Sequence, residues 1–179
     1  SNTIFVENST LWKEALVLKN AMEKKGLTVE LTDKKPIKEN YITLRLGNVS
    51  APTNQSEAYH LEISANKTVL TANAPQGMYS GVQTLLQLMR DAVFVDATEI
   101  TDWPAFTWRG FMVDVGRNYQ SMKLLKQQID AMAAYKLNVF HFHPTEDIAW
   151  RLQSKLYPQL TDPEFMLRDK REYYTENDI

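Results

Sequence analysis

The 179-residue chain contains no cysteine. That absence excludes disulfide bonds, cysteine-ligated zinc, thiol nucleophiles and iron–sulfur clusters. An excess of one charge sign is also lacking, because 20 Lys and Arg residues nearly balance 22 Asp and Glu residues, for a formal net charge of −2. No run of like charge reaches five residues. We therefore expect no nucleic-acid partner, since such a protein needs clustered cations to neutralise phosphates.

Long apolar segments are absent as well. No apolar run approaches the roughly 20 residues that cross a bilayer, so we expect no membrane span. The N-terminus shows no signal-peptide pattern, and the compartment stays open at this point. The 44% hydrophobic content is that of an ordinary globular protein. The length suits one domain, or one domain plus part of another.

The N-terminal part of the chain predicts a small α+β domain with the element order β-α-β-β-β-β-α. Apolar residues at three- and four-residue spacing predict a helix over 10–25, with Thr10 as its N-cap and Gly26 just past its end. A second helix is expected over 78–89. Strands are expected at 4–6, 28–31, 41–46, 59–63 and 69–70, the last two as an antiparallel hairpin. We expect an antiparallel sheet with the helices on one face.

The C-terminal part predicts a βαβ unit. A strand, a helix and a strand are expected over 110–115, 121–136 and 137–142, after a connection over 91–104. Short connections make the two strands parallel neighbours. Residues 173–179 are typical of a helix N-terminus, with Thr175 as N-cap and Asp178 as the acidic residue of the first turn. We therefore expect a second domain that continues beyond this chain.

Polar side chains follow both strands of this unit, at the edge where α/β sheets bind ligands. They are Asp114, Arg117, His141, His143, Glu146 and Asp147. Each has an ordinary structural explanation: a surface ion pair, a hydrogen-bonded core histidine or a loop carboxylate. The two histidines face one side of their strand, which also suits zinc, although a zinc site needs roughly three to four ligands and only His60 remains.

The joint pattern of motifs is more specific than its parts. Residues 102–117 read DWPAFTWRGFMVDVGR and resemble the D-x-P-R-F-x-W-R-G-x-x-x-D-x-S-R-H opening of the catalytic domain in glycoside hydrolase family 20, the β-N-acetylhexosaminidases. Residues 131–143, AMAAYKLNVFHFH, resemble M-A-x-x-K-L-N-x-x-H-x-H, and residues 144–151, PTEDIAWR, resemble L-T-D-D-Q-x-W-R. Upstream, residues 59–63 and 77–88 resemble the small domain that precedes the barrel in this family.

The resemblance implies an α+β domain over residues 1–100 and the beginning of a truncated (β/α)8 TIM barrel over 101–179. It also implies retaining hydrolysis of terminal β-linked GlcNAc or GalNAc, in which the substrate's acetamide oxygen attacks the anomeric carbon. The acid/base Glu and the Asp that orients the acetamide are expected downstream. No catalytic residue is therefore expected in this chain, which we predict to be inactive alone. No cofactor and no metal are implied.

Residue by residue, the resemblance assigns Arg117 to the hydroxyls of the non-reducing N-acetylhexosamine. Glu146 stands where the family has the first Asp of an Asp-Asp pair, which supports a histidine beside the acid/base Glu. Asp147 matches the second Asp, and His143 matches the second histidine as a supporting residue. The resemblance thus makes Arg117 the substrate-binding residue and the other three a relay behind the catalytic pair.

The chain departs from the family pattern around these positions. Gly116 and Asn118 stand where Ser and His are usual, Pro144 replaces Leu, and Ile148 replaces Gln. Glu146 is one methylene longer than Asp. We expect the altered carboxylate to change the relay geometry, and with it activity or specificity.

The implied partners are N-acetylhexosamine-containing glycans, and the family suggests a periplasmic or secreted location. Open strand edges and an uncovered apolar helix face predict a homodimer of the fragment, or else unusual flexibility. Two other functions stay open. One is a non-catalytic carbohydrate-associated module, and the other is a metal-dependent barrel hydrolase that uses His141, His143 and Asp147.

Overall fold

The computed structural model describes residues 3–37, 40–90 and 95–179. The chain has an α/β fold and divides into two compact units, which meet in sequence at Thr107 and Trp108. Each unit has its own cluster of buried hydrophobic side chains. Among the described residues, no helix has both the length and the apolar character needed to cross a membrane.

The first unit contains six strands and two helices. They are β1 (Thr3–Val6), α1 (Trp12–Lys24), β2 (Glu30–Thr32), β3 (Ile42–Leu46), β4 (Tyr59–Ser64), β5 (Lys67–Ala72), α2 (Pro75–Leu88) and β6 (Thr98–Asp102). The strands form one sheet in the order β2-β1-β3-β5-β4-β6. Helices α1 and α2 contact each other and the sheet, and the core lies between these two layers.

The sheet is mixed, so the expectation of an antiparallel sheet was wrong for three of its five strand pairings. Strand β1 pairs in parallel with β2 and β3, and β3 pairs in parallel with β5. Only the pairings of β4 with β5 and β6 are antiparallel. Helix α1 lies between β1 and β2 in the chain. It returns the chain to the end of the sheet at which β1 begins, so that β2 runs in the same direction as β1. A connection of this kind produces parallel neighbours, which local strand patterns do not reveal.

The predicted hairpin is confirmed. Strands β4 and β5 pair from Tyr59 opposite Ala72 to Ser64 opposite Lys67. Alternate residues of β4 are buried, namely Tyr59, Leu61 and Ile63. The expected connection over 91–104 contains strand β6, which was missed, while residues 91–94 lie outside the described residues. Strand β6 is a partly exposed edge strand that carries few apolar residues, so it lacks the hydrophobic signal of a buried strand.

Asn8 and Gly26 set the two ends of the α1 region, and of these two residues only Gly26 was predicted to do so. Asn8, not Thr10, caps this region: its side-chain oxygen accepts the Thr10 N–H at 3.0 Å and begins a 3-10 turn that runs into the helix. Gly26 ends the helix as predicted, with φ of +84°. The N–H groups of Gly26 and Leu27 donate to the carbonyls of Glu23 and Met22. This pair of bonds satisfies carbonyls that the helix leaves open.

Helix α2 begins at Pro75, three residues before the predicted start. Proline suits the first turn of a helix, since it has no N–H to leave unpaired. Gly77 lies inside the helix, and a Cβ built on it would come within 2.5 Å of the Ala58 carbonyl oxygen. Residues 75–77 are therefore part of the helix, and the lack of a side chain on Gly77 permits close packing against Ala58.

The second unit contains β7 (Gly110–Asp114), α3 (Met122–Ala134) and β8 (Val139–His143). The two strands pair in parallel, as predicted for a βαβ unit. Ser121 caps α3 by accepting the Leu124 N–H. Beyond β8 the chain makes two 3-10 turns, Pro158–Thr161 and Pro163–Phe165. Its core is formed by buried side chains of β7, the turn after β7, α3 and the last segment: Val113, Val115, Leu125 and Tyr174.

Candidate functional site

The carboxyl ends of β7 and β8 lie side by side, because the strands are parallel and in register. Asp114, the last residue of β7, is the Cα partner of His143, the last residue of β8. The turn after β7 carries Arg117, and the loop after β8 carries Glu146. The N–H groups of Val115 and Gly116 both donate to the His143 carbonyl and hold the turn against β8.

Arg117 is the centre of an ion-pair group at this edge. Its Nη1 lies 3.2 Å from Oδ2 of Asp114, and its Nη2 lies 3.0 Å from Oε1 of Glu146. Oδ1 of Asp114 also accepts the backbone N–H of Arg117 at 3.0 Å. One carboxylate thus holds both the main chain and the guanidinium of this arginine. Arg117 and Glu146 therefore lie at one edge of the sheet, as their positions after the two parallel strands predict.

Glu146 shares one oxygen between two donors. Its Oε1 lies 3.0 Å from Nε2 of His143 as well as 3.0 Å from the Arg117 guanidinium. The Glu146 and His143 side chains are partly covered, at 21% and 34% exposed, while Arg117 is 58% exposed. The group therefore presents an arginine to solvent in front of a carboxylate and a histidine.

The structure does not bring the other two candidates into this group. The rings of His141 and His143 lie on the same face of β8, with centroids 5.9 Å apart, but His141 is exposed. Asp147 is also exposed and lines a cavity of about 360 Å³ with Glu146, Trp150 and other residues. Within the described parts of the chain, neither side chain has a hydrogen bond or ion pair with Arg117.

The geometry does not support the metal site that the sequence left open. Among the described residues, the one group of three side chains that could offer ligand atoms is Asp114, His143 and Glu146, whose atoms lie within 4.8 Å of one another. That set differs from the one expected. Both of its carboxylates contact the Arg117 guanidinium, a resident cation that a metal ion would have to displace.

Arg151, which no local sequence pattern marks as important, supports the turn that carries Arg117. It is fully buried, although charged residues seldom are. Its Nε and Nη2 donate to the carbonyls of Val115 and Gly116, the two residues before Arg117. The same guanidinium donates to three carbonyls of a later segment: Arg168, Asp169 and Glu172. These acceptors compensate for the loss of water around the buried charge.

The later segment also contacts the Arg117 turn directly. Nη1 of Arg168 lies 2.7 Å from the side-chain oxygen of Asn118 and 3.4 Å from the Arg117 carbonyl. Oδ2 of Asp169 accepts the Tyr119 N–H at 3.0 Å. Together with Arg151, these residues hold every residue of the turn from 115 to 119. No local sequence signal could have shown this, because the partners lie about fifty positions apart in the chain.

Two tyrosines of the second unit, one at the end of the turn and one in the last segment, have raised pKa values. Burial raises the pKa of Tyr174 to about 12, and its hydroxyl donates to the Gln120 carbonyl. Burial also raises the pKa of Tyr119, whose ring stacks on that of Tyr174. Near the C-terminus, the side-chain hydrogen bond from Thr175 lowers the pKa of Asp178. The Thr175 N–H and hydroxyl both donate to Oδ2 of Asp178, which is the pairing expected of an N-cap and the acidic residue of its first turn.

Two family models match the chain. The model for glycosyl hydrolase family 20, domain 2, matches residues 1–103. The model for the catalytic domain of the same family matches residues 106–179. The residues matched by the second model include all six candidate side chains at the ends of β7 and β8.

Known proteins with similar sequences are hexosaminidases. A β-hexosaminidase from Porphyromonas gingivalis is 41% identical over 118 residues, which cover 60% of this chain and 15% of that protein. An N,N'-diacetylchitobiase from Vibrio harveyi is 35% identical over 123 residues, or 68% of this chain and 14% of that protein. The chain thus spans less than a quarter of the length of these relatives.

Solved structures of the same kind superpose over nearly the whole chain. A β-N-acetylhexosaminidase from Streptomyces coelicolor matches with a TM-score of 0.79 and 26% identity, over 99% of this chain and 38% of that one. A mutant β-hexosaminidase from Streptomyces plicatus, in complex with its product GlcNAc, matches with a TM-score of 0.83 and 25% identity over the same shares. The motifs, the fold and the matched models agree, and the chain belongs to glycosyl hydrolase family 20.

Proposed function

We propose that this chain provides the small α+β domain, over residues 1–100, and the first β/α units of the catalytic barrel, over 101–179, of a β-N-acetylhexosaminidase. The whole protein would remove terminal β-linked GlcNAc or GalNAc from glycans. The observation that carries the proposal is the contact between Arg117 and Glu146 at the carboxyl ends of two parallel strands. In barrels of this kind, active sites are built at that end.

Arg117 is proposed to bind the sugar. A guanidinium has five N–H donors in a fixed plane, which suits adjacent hydroxyl groups. Two carboxylates, Asp114 and Glu146, already fix its orientation through Nη1 and Nη2. The side chain is 58% exposed, so donors remain for a ligand. A pre-oriented arginine loses little conformational entropy when a sugar binds.

Glu146, His143 and Asp147 are proposed to act behind the catalytic pair. Oε1 of Glu146 already contacts a guanidinium and an imidazole, which compensate the negative charge and fix the position of the carboxylate. Such a carboxylate can hold a further histidine in one tautomer beside an acid/base Glu. Asp147 is exposed and would contribute from the rim of the neighbouring cavity.

The isolated chain should not hydrolyse glycosides. The acid/base Glu and the Asp that orients the acetamide have no counterpart in this sequence. General acid catalysis typically contributes about 10²–10⁴-fold, and orientation of the nucleophile contributes more. Arg117 and Glu146 can bind and orient a sugar. Between them, they cannot both protonate the leaving oxygen and orient the acetamide.

The test compares two polypeptides on an aryl N-acetyl-β-glucosaminide. One is the 179-residue chain, and the other is the parent protein with the expected Asp-Glu pair. We expect hydrolysis with retention by the parent and none above background by the chain. Turnover by the purified chain that Arg117→Ala abolishes would overturn the proposal that the catalytic pair lies elsewhere. Glycan binding without hydrolysis by the parent would instead support a non-catalytic module.

A further inference from the structure

The buried Arg151 uses every hydrogen-bond donor of its guanidinium. A guanidinium has five N–H donors in a fixed plane. Each of the five has a main-chain carbonyl as its acceptor, at donor–acceptor distances between 2.8 and 3.3 Å. The side chain is completely buried, so no donor is left for water. The three donors of a lysine ammonium could not satisfy this set of acceptors.

These acceptors belong to two separate segments of the chain. Nε and Nη2 donate to the carbonyls of Val115 and Gly116, which directly precede Arg117. Nη1 and Nη2 donate to three carbonyls of the segment 168–172, near the C-terminal end of the chain. The guanidinium therefore bridges the turn after β7 to the segment 168–172.

The main chain of Arg151 is itself fixed beside β8. Its N–H donates to the Pro144 carbonyl at 2.8 Å, and its carbonyl accepts the Tyr174 N–H at 2.8 Å. Pro144 directly follows His143, the last residue of β8. The bridge thus has a fixed base at the carboxyl end of this strand, and the turn that carries Arg117 is held against that base.

Arg117 is consequently held at both of its ends. Asp114 and Glu146 contact its guanidinium, whereas Arg151 holds the main chain directly before it. Ion pairs of an exposed side chain are weak, so the carboxylates alone do not fix where the side chain starts. We infer that Arg151 is a positioning residue, through which the segment 168–172 sets the place of Arg117. Its effect on sugar binding rests on the proposed function, whereas its effect on the turn rests on the contacts alone.

A purely stabilising role for Arg151 makes a different prediction. An arginine that only stabilises the second unit would affect activity equally with or without the Arg117 side chain. A positioning residue acts through Arg117, so its effect disappears once that side chain is removed. A double-variant cycle separates the two roles.

The cycle is measured in the parent protein with Arg151→Lys, Arg117→Ala and the pair, on an aryl N-acetyl-β-glucosaminide. Arg151→Lys keeps the charge but places three donors on one nitrogen, which cannot join both segments. We expect it to lower kcat/KM about tenfold, mainly through KM, as for the loss of one hydrogen bond to a charged group. In the Arg117→Ala background the decrease should be less than about twofold.

Met132→Ala is the matched control for stability. Met132 is a buried residue of α3, so its truncation destabilises the same unit. We expect this variant to leave KM unchanged in both backgrounds. An equal loss of kcat/KM for Arg151→Lys in both backgrounds would overturn the inference, and so would full activity of Arg151→Lys alone.

Arg168→Ala carries the test if Arg151→Lys does not fold. It removes exposed contacts from the same segment to the Asn118 side chain and the Arg117 carbonyl. A rise in KM that disappears in the Arg117→Ala background supports positioning of the turn by this segment. An unchanged KM, or an equal rise in both backgrounds, contradicts it.

Hydrogen exchange in the 179-residue chain separates this inference from the proposed function. Arg151→Lys should speed exchange of the amides of residues 115–119 at least about tenfold, with less than about twofold change in α3. Equal acceleration in α3 would overturn the inference, because it reports a loss of stability of the whole unit. If acceleration is confined to the turn but the parent does not hydrolyse the glycoside, the proposed function fails and the positioning of the turn stands. Hydrolysis with equal losses in both backgrounds overturns the inference alone.

Discussion

At the scale of single residues, the site depends on how charges are shared. One guanidinium joins two carboxylates, and one of these carboxylates also contacts an imidazole. An exposed ion pair usually contributes little stability. The value of this arrangement is therefore geometric: it fixes the direction of Arg117 and of the Glu146 carboxylate before any ligand arrives.

Arg117→Ala should weaken sugar binding by the parent protein. On an aryl N-acetyl-β-glucosaminide, we expect KM to rise and kcat/KM to fall. The fall in kcat/KM should correspond to a loss of about 2–4 kcal/mol in transition-state stabilisation if charge-assisted hydrogen bonds are lost in a buried complex. Steady-state kinetics measure both quantities. Lys170→Ala removes an exposed positive charge elsewhere in the second unit and should leave both quantities unchanged. An unchanged KM for Arg117→Ala would contradict the assigned role.

Glu146→Gln should act mainly on kcat. The amide keeps the size of the side chain but removes the negative charge that Arg117 and His143 contact. We expect kcat to fall by a larger factor than KM rises, because the supporting carboxylate acts on the acid/base group, while Asp114 still holds Arg117 in place for ground-state binding. Glu164→Gln, at an exposed site in the same unit, is the matched control. A rise in KM at constant kcat would contradict this role.

Tyr174 should make the second unit sensitive to high pH. Its pKa is raised by burial to about 12 in the folded chain, whereas an unfolded tyrosine ionises near ~10. The stabilisation is complete below the unfolded pKa and is lost as the pH rises through the folded pKa. The free energy of unfolding, measured by thermal denaturation, should therefore fall as the pH rises from ~10 to about 12. The fall should be smaller in Tyr174→Phe, and an identical fall in both proteins would contradict the assignment.

At the scale of elements, contacts between residues far apart in sequence fix the loops that follow the strands. The buried Arg151 joins the turn after β7 to the segment around Asp169, which has φ of +47°. A non-glycine residue in this conformation carries a backbone cost that the surrounding contacts must offset. The hydrogen bonds to Arg151 and Tyr119 provide such contacts. Helix α1, by contrast, ends through local chemistry.

Gly26→Ala should destabilise the first unit through the end of α1. The position has φ of +84°, and a Cβ there would meet nothing within 4 Å, so the cost is that of backbone conformation alone. We expect a loss of about 1 kcal/mol in the free energy of unfolding, measured by urea denaturation. Gly26→Asn should lose less, because Asn tolerates this conformation better than Ala. Equal losses would indicate another cause.

At the scale of the whole molecule, the second unit leaves large apolar side chains uncovered. Phe111 and Met112 of β7 are 45% and 53% exposed, and Leu124 and Ile129 of α3 are 42% and 46% exposed. Two strands form its sheet, so both have an unpaired edge within the described residues. Exposed edges and apolar patches favour association with another chain.

Self-association of the isolated chain is therefore expected. Light scattering over a range of concentrations should show mass above that of the monomer, and Met112→Lys with Ile129→Lys should restore the monomer. Leu27→Lys, at an exposed apolar site in the first unit, should not. A monodisperse monomer whose second-unit amides are well protected from hydrogen exchange would contradict this expectation.

Local patterns in the sequence determined much of this protein. The hairpin of β4 and β5, the end of α1 at Gly26 and the parallel pair β7 and β8 follow from alternation, helix-ending chemistry and short connections. The position of Arg117 and Glu146 at one edge also follows, because parallel neighbours bring their following loops to the same end of a sheet. Each of these features depends on residues close in sequence or on the direction of adjacent strands.

Tertiary structure alone decided the rest. The mixed sheet, the edge strand β6 and the bridge made by the buried Arg151 depend on pairings between distant segments. An arginine looks the same in the sequence whatever surrounds it. Its role is set by which atoms the fold brings within contact, and that choice minimises free energy over the whole unit and not over a window of residues.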